Sequence, residues 1–196
     1  MLQIRIHGRG GQGTVTAAEM LSVAAFLEGR NAQAFPSFGS ERMGAPVVAF
    51  CRIDDHEIRL REPILAPDVL IVQDPTLLHQ VDVFQGLQPD GYVLINSRHS
   101  FHALGLADIE QRFRHERLTT VPATEIALKH LGRPLPNAVL LGGFAALSGL
   151  ITLDAVAQAI RAKFSGKLAE ANVAASAEAF DHIKRELEEL KHVQAG

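Results

Sequence analysis

Leu2-Gln3-Ile4-Arg5-Ile6-His7-Gly8-Arg9-Gly10-Gly11-Gln12-Gly13-Thr14-Val15-Thr16-Ala17-Ala18 runs from a short strand pattern through a glycine-rich turn into a helix without interruption. The helix is expected over about Thr14 to Leu27, where apolar residues cover most faces, so it should be buried. Glycines let the backbone take φ > 0 and let a ligand come close, while a helix N-terminus presents unpaired N–H groups and the positive end of a dipole. Phosphate or diphosphate is the natural guest of such a turn. Gly8, Gly10 and Gly13 also satisfy the G-x-G-x-x-G spacing of dinucleotide sites. That signature expects an acidic residue at the end of the second strand, and Asn31 to Pro36 offers none. A tight turn with no ligand would explain the glycines but not Arg9 and Gln12. These supply a bidentate anion donor and a neutral hydrogen-bonding side chain at one mouth.

Outward from this stretch, Asn31 to Phe35 reads as a second short strand, followed by an irregular segment from Ser37 to Pro46. Val47 to Ile53 and Glu57 to Leu60, separated by Asp54-Asp55-His56, suit a hairpin, which makes the sheet mixed. Val69 to Val72 reads as a buried parallel strand, after which Asp74 caps a helix that has Pro75 in its first position. Tyr92 to Ile95 and Leu118 to Val121 continue the strand series, and Glu125 to Leu131 is a helix closed by Gly132. Helices then fill Asn137 to Leu150, Thr152 to Phe164 and Leu168 to about Lys191.

The pattern predicts an α/β fold: a doubly wound, mostly parallel mixed sheet with helices on both faces and a helical C-terminal lobe. One domain over 1–196 is expected, with a sheet lobe over about 1–135 and a helical lobe over about 136–196. In the last helix Val173, Ala177, Phe180, Ile183, Leu187 and Leu190 form one apolar stripe, facing the sheet or a partner. Gly142-Gly143 inside an apolar helix implies close approach of another backbone, from this chain or from a partner subunit, with internal packing preferred.

Composition excludes several classes. The chain is 47% apolar and 21% charged, in keeping with a folded globular protein. Its 19 basic and 22 acidic residues give a net charge of -3 without a basic run, so nucleic acid is not an expected partner. Met1 to Ile6 enters a strand pattern with no leader signature, and the apolar run Ala138 to Leu147 is short of the ~20 residues of a membrane span. A cytoplasmic location is expected. Cys51, the single cysteine, lies in an apolar strand and can form neither an internal disulfide nor a cysteine-ligated cluster. Of nine histidines only His99 and His102 are close in sequence, without further ligands, so no metal site is expected.

A second candidate segment is Phe35-Pro36-Ser37-Phe38-Gly39-Ser40-Glu41-Arg42-Met43-Gly44-Ala45-Pro46, which mixes aromatics, hydroxyls and an adjacent acid and base. Segments after strand C-termini line the ligand crevice of open α/β sheets. Ser37, Phe38, Gly39, Glu41 and Arg42 are therefore expected to share a site with Gly8, Arg9, Gly10, Gly11, Gln12 and Gly13. The plainer alternative is a surface loop with Glu41 and Arg42 solvated. No catalytic residue stands out.

Gly8 to Gly13, Phe35 to Pro46, Arg52-Ile53-Asp54-Asp55, Val72-Gln73-Asp74-Pro75 and Gly132-Arg133-Pro134 together resemble the γ subunit of pyruvate (2-oxoacid):ferredoxin oxidoreductases. The resemblance implies a multisubunit enzyme that decarboxylates a 2-oxoacid on thiamine diphosphate, passes electrons through iron–sulfur clusters to ferredoxin and releases an acyl-CoA. It places the thiamine and the clusters on α, β and δ-type subunits, leaves this chain inactive alone, and associates it with coenzyme A access and active-site closure. Met43 stands where the family pattern suggests a second arginine after Arg42. Pyruvate is the expected substrate, with 2-oxoglutarate or branched-chain oxoacids as relatives' alternatives. An NAD-dependent oxidoreductase built on the glycine turn is the competing reading.

Overall fold

The computed structural model describes residues 1–37 and 42–194. Among them, β1 (Leu2–Arg9), β2 (Asn31–Pro36), β3 (Pro46–Asp54), β4 (Val69–Val72), β5 (Tyr92–Asn96) and β6 (Leu118–Val121) form one sheet in the order β2-β3-β1-β4-β5-β6. β1, β4, β5 and β6 run parallel, whereas β3 is antiparallel to both β1 and β2. The helices are α1 (Thr14–Leu27), α2 (Ala107–Arg112), α3 (Ala123–Leu131), α4 (Asn137–Ser148), α5 (Leu153–Lys163) and α6 (Gly166–Gln194), with 3-10 turns at Pro75–His79 and His115–Arg117. This is the expected α/β class, with its mixed sheet and helical C-terminal part.

Strand alternation assigns the two faces. Ile4, Ile6, Cys51, Ile71, Leu94 and Val121 join α1 and α3 to α6 in one core, whereas Leu70, Val72, Val93 and Ile95 meet Leu77, Phe101 and Ile109 in a second. Long helices cover the first face, and the second carries α2, the 3-10 turn at Pro75–His79 and loops.

The expected hairpin from Val47–Ile53 to Glu57–Leu60 does not form. Both edges of β3 are already taken, by β1 and β2, so the chain after His56 has no strand to pair with. Residues 57–66 instead run irregularly over the second face. Two buried arginines hold this region: Arg52 Nη2 donates to Glu62 O at 2.6 Å, and Arg5 Nη2 donates to Val83 O at 2.8 Å and Gln85 O at 2.6 Å. The helix expected after Asp74 is the 3-10 turn, with Asp74 capping it as read, through acceptance from Thr76 N.

The glycine pair of α4 meets a helix of the same chain. A Cβ on Gly142 would lie 2.0 Å from Ser176 O, so only glycine lets α6 sit this close. Beside Gly142 the buried line on α6 is accordingly of modest size, Asn172, Ala175, Ser176 and Ala179, while Ile183 reaches Gly143. Of the expected stripe, Ile183 is fully buried, Val173, Phe180 and Leu187 pack half-buried against the same core, and Leu190 is 39% exposed. Among the described residues no helix is long and apolar enough to cross a membrane.

Candidate functional site

From β1 the chain turns through α1 to β2 and β3 on one side, then returns to β4 on the other. The carboxyl ends of β1 and β4 therefore flank a topological switch point, the usual place for a crevice in such sheets. The turn Gly8–Gly13 fills it. Gly13 is the N-cap of α1 at φ 72, and no side chain caps the first turn of that helix. Its outward N–H groups are thus available to an anion.

Within the turn, Gln12 N donates to Arg9 O at 3.1 Å and Gln12 Oε1 accepts from Arg9 N at 2.8 Å. Gln12 Nε2 then donates to Asp74 Oδ2 at 2.7 Å. Arg9 lies sideways across the same carboxylate, with Nε 3.2 Å from Asp74 Oδ2. Its remaining donors reach Thr76 Oγ1 at 2.7 Å, Gln80 Oε1 at 3.0 Å and Gly44 O at 2.9 Å. The guanidinium therefore braces this chain's own loops. Burial opposes ionisation of Asp74, but hydrogen bonds from Thr76 and Gln12 and the Arg9 charge outweigh it, holding the carboxyl below its usual range.

The second candidate segment meets the turn through its C-terminal half. Gly10 N donates to Ala45 O at 2.9 Å and Gly44 N donates to Gly10 O at 3.0 Å. A Cβ on Gly10 would stand 1.9 Å from Arg42 O, which explains the glycine. Arg42 is exposed at this lip, and Met43, 85% exposed, lays its thioether over Gly11. Ser37 continues β2, its N–H donating to Val48 O at 2.8 Å. Phe38, Gly39 and Glu41 lie outside the described residues, as does Ser40.

A polar floor not anticipated from the sequence supports the turn. Gln73 Nε2 donates to Gln12 O, and Asn137 Nδ2 reaches Gly13 O at 3.4 Å. Asn96 Nδ2 donates to Gln73 O at 2.9 Å and Thr124 Oγ1 at 2.8 Å, and Asn96 Oδ1 accepts from Thr124 N at 3.1 Å. His7, Thr14 and Gln73 each bury a polar atom without a partner among the described residues. Burial, aided by the Arg5 charge, pushes His7 down to about 4, so its imidazole is neutral at physiological pH. The available sequence signal was position: Gln73, Asp74 and Asn96 are the first polar residues after apolar strand runs. A 330 Å3 pocket bounded by Pro75, Asn96, Arg98, His99 and Thr124 extends the crevice along the carboxyl edge.

These residues fit neither a dinucleotide nor a cluster. β3 stands between β2 and β1, so the end of β2 does not adjoin the turn as a ribose-binding strand would. Burial pushes the Cys51 thiol up to about 12, unsuited to ligating iron. Among the described residues no group of His, Cys, Asp and Glu could hold a metal ion.

Residues 3–182 match the family model described as pyruvate ferredoxin/flavodoxin oxidoreductase. The chain is 49% identical to the "Pyruvate/ketoisovalerate oxidoreductases common subunit gamma" of Pyrococcus abyssi, over 92% of this chain and 96% of that one. It is 46% identical to the "Pyruvate synthase subunit PorC" of Methanothermobacter marburgensis, over 94% of this chain and 98% of that one. Among solved structures it is similar to the pyruvate oxidoreductase subunit PORC of Thermotoga maritima. That likeness has a TM-score of 0.76 and 34% identity, covering 92% of this chain and 95% of that one.

Proposed function

The chain belongs to the pyruvate ferredoxin/flavodoxin oxidoreductase family as a γ subunit, and from that premise we propose that it completes a pyruvate-oxidising enzyme by shaping the entry and phosphate contacts of coenzyme A. The observation that carries this reading is the uncapped N-terminus of α1 behind the glycine turn, with exposed Arg42 on the adjoining lip. An anion laid there meets backbone N–H donors and one guanidinium that has no hydrogen-bond or ion-pair partner among the described residues. Arg9 acts by holding the turn in shape.

Decarboxylation and electron transfer need thiamine diphosphate and iron–sulfur clusters, which this reading assigns to α, β and δ-type partner subunits, with ferredoxin as acceptor. This chain contributes binding, orientation and exclusion of water. This reading places the assembled enzyme in the cytoplasm.

The test is Arg42→Ala in the assembled enzyme. A charge-assisted contact is worth ~1.5–3 kcal/mol, so the KM for coenzyme A should rise roughly 10- to 150-fold while the KM for the 2-oxoacid is unchanged. An unaltered coenzyme A dependence in a fully assembled variant would refute the assignment. Calorimetric titration of the chain with NAD(H) tests the competing reading, and micromolar binding there would favour it.

A further inference from the structure

At the opposite end of the sheet from the glycine turn, a cavity of about 430 Å3 opens between the start of β5, the end of α4 and the last turns of α6. Its floor is aliphatic, formed by Leu147, Leu187 and Leu190. Its rim carries Arg114, Arg117, Lys184 and Lys191 against Glu116 and Glu188, a local excess of positive charge on a chain whose net charge is -3. Arg114 is neutralised by its ion pair with Glu116. Arg117, Lys184 and Lys191 form no ion pair among the described residues and share Glu188 as the one remaining acid of the rim.

The cations are placed rather than scattered. Arg117 donates to Asp90 O, and its guanidinium stacks 4.7 Å from the Tyr92 ring centroid, which fixes its direction. Lys184, Leu187, Glu188 and Lys191 recur at three- and four-residue spacing, so one face of α6 presents lysines on either side of a leucine. A small inorganic anion would want converging donors and no aliphatic floor. The arrangement suits a side chain with an acidic group beside an apolar one.

We infer that this cavity is a docking site for a segment of another subunit of the same enzyme, in which an aliphatic residue enters the leucine floor and neighbouring carboxylates meet Arg117, Lys184 and Lys191. The inference rests on the chain being a subunit, not on the coenzyme A reading, and the two sites lie at opposite ends of the sheet.

The experiment is zero-length carbodiimide cross-linking of the assembled enzyme, mapped by peptide mass, together with subunit reassembly measured on the Lys184→Glu/Lys191→Glu double variant. The expected results are links from Lys184 or Lys191 to an Asp or Glu of another subunit, and about tenfold or greater weakening of reassembly with an unchanged unfolding midpoint of the isolated variant. Absence of intersubunit links, with both lysines as reactive toward an amine-acylating reagent in the complex as in the free chain, overturns the inference. Protection of the lysines by millimolar inorganic phosphate in the free chain, without protection in the complex, also overturns it and marks a small-anion site. A shifted coenzyme A dependence in the Arg42 variant would bear on neither result.

Discussion

Gln12 Nε2 donates to Asp74 Oδ2 at 2.7 Å, tying the turn after β1 to the residue that caps the 3-10 turn after β4, across 62 positions of sequence. One carboxylate thus sets the geometry of the glycine turn, because Arg9 and Thr76 converge on it as well. Asp74→Ala removes the acceptor and leaves Gln12 and Arg9 with unmet donors in a half-buried setting. Hydrogen bonds to charged groups contribute about 1.5–3 kcal/mol, so the variant should lose roughly that much in urea unfolding. A variant as stable as the parent would show that the turn holds its shape without this tie.

The buried His7 imidazole gives the fold a defined sensitivity to acid. Its folded pKa of about 4 lies below the unfolded value near 6.5, so the unfolded chain binds the proton first. The stability at stake is present above about pH 6.5 and is lost as the pH falls toward 4. Between pH 7.5 and pH 5 the loss from this one group should be about 2 kcal/mol, at ~1.36 kcal/mol per pH unit per proton. His7→Asn should show a shallower decline over that interval in denaturant titrations at several pH values. An identical slope in the two proteins would place the acid sensitivity elsewhere.

Gly142→Ala tests the α4–α6 seam. Alanine favours an isolated helix over glycine by about 1 kcal/mol, yet here its Cβ would stand 2.0 Å from Ser176 O, a backbone atom that cannot rotate away. Overpacking of this kind typically costs ~1–3 kcal/mol, so the balance should be destabilising, with thermal unfolding at lower temperature. Stabilisation by the substitution would mean that α6 slides without cost.

Much of this fold was legible because its strong elements carry local signals. The bounds of α1 and β4 follow from apolar runs closed by polar residues, those of β6 from a β-branched stretch stopped by Pro122, and the glycine turn declares itself between strand and helix. The hairpin was misread because Glu57–Leu60 has strand-like composition, while pairing depends on which strand edges remain free, a property of the whole sheet. The stripe of large apolar residues on α6 does pack on the core, but the pattern did not show that Gly142 brings the smaller Ala175, Ser176 and Ala179 closest to α4. At the site, the turn could be located, but its support by Asp74, Asn96 and Asn137 joins residues from distant parts of the chain. Arg9 looked free for a ligand because its partners Thr76 and Gln80 are invisible at sequence range.

During synthesis, α4 leaves the ribosome before α6 exists. Every residue from Asn137 to Leu147 is buried in the finished molecule, so this helix has no face fit for water. The cover that α6 provides is made after it, and at ~5–20 residues per second the nascent chain carries an uncovered greasy rod for a few seconds. Stalling or premature termination within 166–194 should therefore yield aggregates rather than a shortened folded protein.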